Sequence, residues 1–146
     1  MKISAKSIIL VLVQFLSIYW IFHLTPSSRF NSFSTSLVLL GVFISLWGIF
    51  VMRKSTLRIT PEVAKSARLI KNGPYKFIRH PMYTGLIIAC FGALIAEITF
   101  IKIVFYTILL TDLVIKLKYE EGILEKHFSE YKEYREKTFK LLPFIY

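Results

Sequence analysis

Two groups of polar residues in an otherwise apolar chain have the types and spacing that could do chemistry. The first lies in the segment NGPYKFIRHPMYTG, residues 72–85. Pro81 disfavours helical backbone at the residue before it and suits the first turn of a helix that follows. The sequence therefore predicts that Arg79 and His80 lie at a helix N-terminus, beside backbone N–H groups that no helical carbonyl satisfies.

Donor side chains would surround this helix N-terminus, namely those of Tyr75, Arg79, His80 and Tyr83. A helix N-terminus carries partial positive charge and binds anions, and arginine strengthens such binding through charge-assisted hydrogen bonds. We therefore expect a guest with an anionic or polar head, such as a carboxylate. The competing interpretation is that Arg79 contacts lipid phosphate and that the tyrosines are interfacial anchors.

The second group lies nearer the C-terminus, where Glu120 and Glu121 adjoin and Asp112, Lys116 and Glu120 recur at a spacing of four residues. Residues four apart share one face of a helix, and a charged face within a membrane must look into protein or water. Because this face would lie near the turn with Arg79 and His80, we expect it to take part in a functional site. The alternative is a mutually neutralising triad that only stabilises the helices.

Other chemistries have little support in the sequence. Cys90 is the only cysteine, and His23 and His127 have no partner at metal-ligand spacing, so no metal site is expected. No Ser/His/Asp set stands out for nucleophilic catalysis, and no GxGxxG follows a strand pattern. The net charge of +10 is of the kind that a membrane protein collects on its cytoplasmic side, so we expect no nucleic-acid partner.

The elements that must position these groups are apolar helices. The chain is 55% hydrophobic, and uncharged runs over residues 7–24 and 34–52 are each long enough to cross a bilayer. A third apolar stretch, residues 82–117, is too long for one span, and the charges of Glu97 and Lys102 mark the place where it turns back. The sequence predicts an all-α integral membrane bundle of about four transmembrane helices, in which the first two pack as antiparallel neighbours.

Positive charge predicts the orientation of this bundle. Of the 19 Lys and Arg residues, 17 fall before the first span, in the long loop after the second span, or at and beyond the end of the last span. The positive-inside rule then places both termini and the candidate site in the cytoplasm. Residues 118–140 have the spacing of an amphipathic helix that lies on the membrane surface. We treat the chain as one domain, residues 1–146, made of an N-terminal helical hairpin (1–58) and a cofactor-binding catalytic part (59–146).

Several short motifs follow one another in a fixed order over residues 60–146. They read NGPYKFIRHPMYTG, then EEGIL after a helical hairpin, then HFSEYKEYREKTF, and finally LLPFIY. In this order they resemble the isoprenylcysteine carboxyl methyltransferase family, whose members are integral membrane enzymes. The resemblance implies a pocket for S-adenosylmethionine that is closed by the cytoplasmic loop and the C-terminal segment.

The resemblance also implies roles for individual residues. The positions that match cofactor contacts are Tyr75, His80, Tyr83 and Glu120, with Arg68, Leu69 and Ile70 as a further contact strip, and we assign Arg79 of the same helix mouth to the cofactor with them. Lys116 stands where eukaryotic members have an arginine that contacts the substrate, and we assign Lys116, Asp112 and Glu121 to substrate binding. An amine acceptor would have to lose a proton, and Asp112 or Glu121 would then be the candidate base. A lysine cannot hold a carboxylate through two parallel hydrogen bonds as arginine does, so the identity of the substrate stays open.

We therefore expect methyl transfer from S-adenosylmethionine to a membrane-embedded or lipid-like acceptor, foremost an isoprenylcysteine-type carboxylate. N-methylation of a phospholipid amine is the nearest alternative, because it would use the same cofactor. A further alternative is an NADPH-dependent membrane reductase of the sterol-reductase type, whose C-terminal half has a related architecture. A non-enzymatic membrane subunit is the third. The sequence leaves the oligomeric state open.

Overall fold

A computed structural model describes residues 4–53 and 69–141, and the regular structure in these residues is helical. The α-helices in this part of the chain are α1 (Ala5–His23), α2 (Ser32–Met52), α3 (Pro81–Ala96), α4 (Phe100–His127) and α5 (Tyr131–Glu136). Single 3-10 turns, Ser27–Arg29 and Gly73–Lys76, precede α2 and α3. The all-α fold expected from the sequence is thus confirmed for the described residues.

The first two helices have the length and apolarity of membrane spans. α1 begins at the side-chain cap of Ser4, and α2 begins at a capping box between Asn31 and Ser34. In their most apolar stretches only 17% and 11% of the residues are buried in the protein. A core helix of a soluble protein would be mostly buried, so these apolar surfaces are suited to lipid. The runs over residues 7–24 and 34–52 are therefore confirmed as helices.

The third apolar stretch folds back on itself, as the sequence predicts. α3 ends at Ala96, and Thr99 caps α4 by accepting the backbone N–H of Lys102 at 3.4 Å. The Lys102 ammonium is fully buried and donates to Thr25 Oγ1 at 2.9 Å and to the Ala93 carbonyl at 3.3 Å. Lys102 therefore ties the tip of the α3–α4 hairpin to the chain just beyond α1.

Helix pairing does not follow the order of the chain. α2 packs along α3 and α1 packs along α4, so α1 and α2 have little contact with each other. The expectation that α1 and α2 pack as neighbours was therefore wrong. The reason lies in the glycines that bring the backbones of α2 and α3 together. A Cβ added at Gly85 would lie 2.7 Å from the Ser45 backbone nitrogen, and one added at Gly41 would lie 2.8 Å from the Cα of Ala89. Small residues allow apolar helices this close approach.

The C-terminal region is not one helix over residues 118–140, and that prediction was wrong. α4 continues unbroken past the apolar stretch, Phe128 is extended, and α5 is only six residues long. Residues 138–141, which we name the C-terminal strap, then run parallel to residues 77–80 and form backbone hydrogen bonds with them. These bonds satisfy backbone groups that a longer helix would satisfy internally.

Replacing Gly41 by alanine is expected to lower stability, because the new Cβ has no room against the backbone of α3. Overpacking of this kind lowers the free energy of unfolding by about 1–3 kcal/mol. The matched control is Gly122→Ala in α4, where a Cβ meets nothing within 4 Å and alanine is favoured over glycine by about 0.5–1 kcal/mol. Thermal unfolding in detergent is the measurement, and equal stability of the two variants would contradict the close α2–α3 contact.

Candidate active site

The two polar groups of the sequence meet at one end of the bundle. His80 and Tyr83 lie at the start of α3, and Glu120 and Glu121 lie on α4 beyond its apolar part. His80 Nδ1 is 3.6 Å from Glu120 Oε2, and His80 Nε2 is 3.4 Å from Glu121 Oε1. The Tyr83 hydroxyl donates to Glu120 Oε2 at 3.1 Å, and its ring stacks on the imidazole with 5.4 Å between centroids. The structure therefore brings the helix mouth and the acidic pair into one cluster.

Proline and glycine set the local backbone of this cluster. Pro81 is the first residue of α3, and His80 before it is a non-helical N-cap with φ −123° and ψ 59°. Gly73 opens the turn before it with φ +60°, a conformation that L side chains rarely adopt. A Cβ at Gly73 would also lie 2.9 Å from Val51 Cγ2 of α2. The helix N-terminus that the sequence predicts beside Arg79 and His80 is thus confirmed.

Arg79 and Glu121 form a buried ion pair beside His80. Arg79 Nε donates to Glu121 Oε1 at 2.7 Å, and the two side chains are 5% and 10% exposed. Arg79 Nη1 donates to the Arg135 carbonyl at 3.0 Å, to the Thr138 carbonyl, and to the Thr138 hydroxyl at 3.2 Å. Buried charges are tolerated when they are paired and hydrogen-bonded, as these are. The guanidinium thereby connects α4, α5 and the C-terminal strap.

The Glu121 carboxylate is a fixed negative charge at neutral pH. Burial alone would raise the pKa of Glu121, but His80 and Arg79 beside it favour the charged form more strongly and bring the pKa to about 2. Lys140 Nζ adds positive charge 3.9 Å from Glu121 Oε2. A carboxylate with so low a pKa is a weak base, so Glu121 is poorly suited to take a proton from a substrate.

Buried tyrosines pack around the same turn. The Tyr75 hydroxyl lies 3.5 Å from the Gly48 carbonyl of α2, and the Tyr134 hydroxyl donates to the Tyr75 carbonyl at 2.7 Å. Tyr131 is 1% exposed, and its hydroxyl has no hydrogen-bond partner among the described residues. Burial raises the pKa of Tyr131, so this hydroxyl keeps its proton and stays a donor. In the sequence, Tyr131 has the spacing of a packing residue, which gives no sign of its buried hydroxyl.

A row of polar residues continues from the cluster along α4 into the bundle. Lys116 is 1% exposed, donates to Gln14 Oε1 of α1, and lies with its Nζ 5.4 Å from the centroid of the Tyr83 ring. Asp112 is 4% exposed, and neither of its carboxylate oxygens has a hydrogen-bond partner within the described residues. Lys116 therefore hydrogen-bonds to Gln14 and not to Asp112, but it attracts both Asp112 and Glu120 electrostatically, so the mutually neutralising triad stays an alternative. No motif around Gln14 indicates this contact.

The further contact strip lies only partly within the described residues. Arg68 lies outside them, whereas Leu69 and Ile70 are half-buried in irregular chain before the turn. The next residue, Lys71, pairs with Glu130 at 2.6 Å, near the break between α4 and α5. The assignment of this strip to a cofactor stays a prediction.

Some polar atoms of the site are buried without a hydrogen-bond partner in residues 4–53 and 69–141. They include the Tyr131 hydroxyl, both Asp112 oxygens and His80 Nε2, whose 3.4 Å contact with Glu121 Oε1 is an ion pair and not a hydrogen bond. Such atoms raise the free energy of the fold unless a ligand or water satisfies them. Over the same ranges no three His, Cys, Asp or Glu side chains are arranged to hold a metal ion. Hydrogen-bonding atoms such as those of His80 and Tyr131 suit an organic ligand with polar groups.

The Glu121 ion pair predicts sensitivity to acid. Because its pKa is lowered from 4.5 to about 2 in the fold, the pair contributes its full stability above about pH 4.5 and loses it as the pH falls toward 2. Glu121→Gln should lack this contribution. At neutral pH it should also be less stable than the parent by about 3–5 kcal/mol, because the Arg79 charge is left buried and unpaired by its acid. Chemical unfolding in detergent over a pH series measures both effects.

Glu125→Gln is the matched control on the same helix. The Glu125 carboxylate is 45% exposed and lies 3.5 Å from an exposed nitrogen of Arg135. Exposed ion pairs of this kind contribute only about 0–1 kcal/mol to stability. Equal losses in Glu121→Gln and Glu125→Gln would contradict the structural importance of the buried pair.

The chain matches known proteins over the region that contains most of this cluster. The sequence model of the family described as phospholipid methyltransferase matches residues 30–131, more than half of the chain. Two relatives, from Oryza sativa subsp. indica and Oryza sativa subsp. japonica, are each named probable protein-S-isoprenylcysteine O-methyltransferase. Each is 36% identical over 80 residues, which cover 53% of this chain and 42% of the relative.

These matches agree with the motifs read from the sequence. The family description and the names of both relatives are those of methyltransferases, which confirms the resemblance to the isoprenylcysteine methyltransferases. The aligned stretch is less than half the length of either relative, so the activity in the names of these two proteins is not thereby an activity of this chain. By its match over residues 30–131, the chain belongs to the phospholipid methyltransferase family.

Proposed function

We propose that this protein transfers a methyl group from S-adenosylmethionine to a lipid-like acceptor at the membrane boundary. The observation that carries the proposal is the cluster of His80, Tyr83 and Glu120 at the end of apolar helices, in a chain of a methyltransferase family. A site in this position can take a soluble cofactor from the water side and an apolar acceptor from the bilayer. The names of the two relatives support the same chemistry here.

The polar groups of the site fit this cofactor. When bound, S-adenosylmethionine supplies a methyl group attached to a positively charged sulfur. Its methionine part carries an ammonium, which the Glu120 carboxylate can hold, and a carboxylate, which His80 Nε2 can bind. Its adenosine part carries ribose hydroxyls, which the Tyr131 hydroxyl can bind. The residues proposed to hold it are Tyr75, His80, Tyr83, Glu120 and Tyr131, with Arg68, Leu69 and Ile70 as the further strip.

For the acceptor we favour a carboxylate of the isoprenylcysteine type. A carboxylate is ionised at neutral pH and needs no general base, so the protein has only to align it and exclude water. Lys116 offers a buried positive charge beside the Tyr83 ring that would hold the carboxylate. The ammonium is a single point of attachment and lacks the planar fork of arginine, so the apolar chain of the acceptor would supply most of the binding.

An amine acceptor is the second candidate, and the environment of Asp112 favours it. An ammonium must lose a proton before its nitrogen can attack the methyl carbon, which requires a base. Asp112 has no hydrogen-bond partner for either oxygen among the described residues, whereas Glu121 is bound to Arg79. Asp112 is therefore the better candidate for the base, and the corresponding acceptor would be a phospholipid amine.

We further propose that the bundle crosses the membrane four times with both termini and the site on the cytoplasmic side. α1 and α2 have spanning length, and α3 with the apolar part of α4 would complete the bundle. α3 has 16 residues and extends about 24 Å, less than the ~30 Å of hydrocarbon, so the turn before it would lie at the interface. The basic residues gathered near the site support this orientation.

The N-terminal helices support the catalytic part directly under this proposal. Gln14 of α1 holds the Lys116 ammonium, and the Gly48 carbonyl of α2 faces the Tyr75 hydroxyl at 3.5 Å. The division into an N-terminal part over residues 1–58 and a catalytic part over residues 59–146 would thus be a division of roles, although α1 and α2 do not pack together as a hairpin. Both parts would be needed for a working site.

The reductase and scaffold interpretations have less support. The matched family and both relatives are described as methyltransferases, which does not favour NADPH chemistry. A non-enzymatic subunit would bind neither the methyl donor nor its product. NADPH-dependent thermal stabilisation of the purified protein would favour the reductase over the function proposed here.

Binding of S-adenosylhomocysteine, the product of the donor, tests the cofactor site. Calorimetric titration should detect binding by the parent, and His80→Ala and Glu120→Gln should each weaken it by about 10- to 100-fold, because hydrogen bonds to charged groups contribute about 1.5–3 kcal/mol. Glu125→Gln removes an exposed carboxylate from the same helix and should bind like the parent. Equal affinity in all four proteins would discard the site assignment.

Variants along α4 distinguish the two acceptor classes. The protein is incubated with a labelled methyl donor and either a prenylcysteine analogue or phosphatidylethanolamine, and the lipids are analysed by mass spectrometry. With a carboxylate acceptor, Lys116→Gln should lower kcat/KM by at least about tenfold and Asp112→Asn should change it little. With an amine acceptor, Asp112→Asn should lower the rate by about 100-fold or more through loss of the base. Thr111→Ala, at an exposed position on α4, is the control.

A further inference from the structure

Arg79 belongs to the sequence motif that contains His80 and Tyr83, yet its side chain forms hydrogen bonds that hold other parts of the protein together. Its Nε and Nη1 groups donate to the Glu121 carboxylate, to the Arg135 carbonyl and to Thr138. We propose that Arg79 is a positioning residue, which clamps the C-terminal strap beside His80 and so closes the site without touching the cofactor. The inference rests on the proposed function and replaces the assignment of Arg79 to cofactor binding.

The backbone of the strap is joined to the segment that carries His80. The bonds run from the Arg79 N–H to the Phe139 carbonyl at 2.8 Å, from the His80 N–H to the Lys140 carbonyl at 3.1 Å, and from the Phe139 N–H to the Phe77 carbonyl at 2.9 Å. The Thr84 hydroxyl donates to the Leu141 carbonyl at 2.6 Å. We call these backbone hydrogen bonds between the strap and residues 77–80 the ladder. Two short extended segments pair only weakly in water, so the ladder needs a side-chain contact to keep its hydrogen bonds formed.

The guanidinium of Arg79 has the geometry for that contact. It presents its donors in one rigid plane, so it reaches Glu121 on α4 and the carbonyl of Thr138 at the start of the strap together. Without it, the Glu121 carboxylate would lose its closest positive charge and the Thr138 carbonyl would lose a charged donor. The strap would then be held by its ladder and by the longer 3.9 Å contact of Lys140 with Glu121, and His80, whose N–H is part of the ladder, would lose its fixed position.

A disulfide across the ladder distinguishes two possible roles of Arg79, which are to hold the strap in place and to contact the ligand. Ile78 and Phe139 are bridge partners, and neighbouring extended segments lie about 4.8 Å apart, within reach of a disulfide. In a background with Cys90→Ala, the changes Ile78→Cys and Phe139→Cys would lock the strap with or without Arg79→Gln. Hydrogen exchange of the strap amides is measured in the ligand-free protein, and affinity for S-adenosylhomocysteine is measured by calorimetry.

Arg79→Gln should speed exchange of the strap amides and weaken S-adenosylhomocysteine binding, each by at least about tenfold, the effect of losing one charged hydrogen bond. The oxidised disulfide should restore both to within about twofold of the locked parent, the usual limit of additivity, and reduction should abolish the rescue. Arg79→Lys keeps the positive charge but cannot donate to Glu121 and to Thr138 at the same time from one planar group. It should show the same rescue and replaces Arg79→Gln if that variant does not fold. Arg135→Gln removes an exposed guanidinium and should change neither quantity.

Two results would overturn the inference. Parent-like exchange of the strap amides in Arg79→Gln would exclude a clamp. Weak binding by a protein whose strap is locked but lacks Arg79 would instead mean that Arg79 contacts the ligand. A parent that binds no S-adenosylhomocysteine would refute the proposed function, and the exchange measurement would still decide whether Arg79 holds the strap.

Discussion

The structure depends on positive and hydrogen-bonding groups that offset the negative charge of two adjacent carboxylates at the end of an apolar helix bundle. Glu120 and Glu121 follow directly on the apolar part of α4, where unpaired charge is costly. His80 lies against both acids, and Arg79 binds Glu121, so the segment before α3 must lie beside α4. The strap follows because the same arginine also holds the Thr138 carbonyl. One electrostatic requirement therefore positions a turn, a helix end and the C-terminal strap.

Hydropathy predicted the elements but not their partners. The spans of α1 and α2 and the reversal near Lys102 follow from uncharged runs and from the cost of charge in hydrocarbon. An apolar run specifies the length of a helix and not the neighbour it packs on, and the close approach of Gly41 to Gly85 is a property of two surfaces together. The break after α4 was missed for a similar reason. Helical spacing over residues 118–140 carries no sign of backbone pairing with residues more than fifty positions earlier.

The candidate site could be predicted where its chemistry was local. Pro81 places His80 at a helix mouth, and the positive-inside rule puts the acidic pair at the same end of the bundle. Contacts made by single residues without a pattern could not be foreseen. Gln14 is one polar residue in an uncharged span, and Tyr131 has the spacing of a packing residue, yet the first holds Lys116 and the second has a buried hydroxyl with no partner among the described residues.

α4 is a single unbroken helix from the hairpin tip to the acidic pair. Its buried Lys102, bonded to Thr25 and to the Ala93 carbonyl, anchors the end remote from the site. Glu121 stands roughly 28 Å further along, at the rise of an α-helix, and a helix cannot lengthen without breaking its hydrogen bonds. A displacement of the hairpin tip along the helix axis would therefore reach the two carboxylates almost undiminished, because α4 is a rigid connection between them.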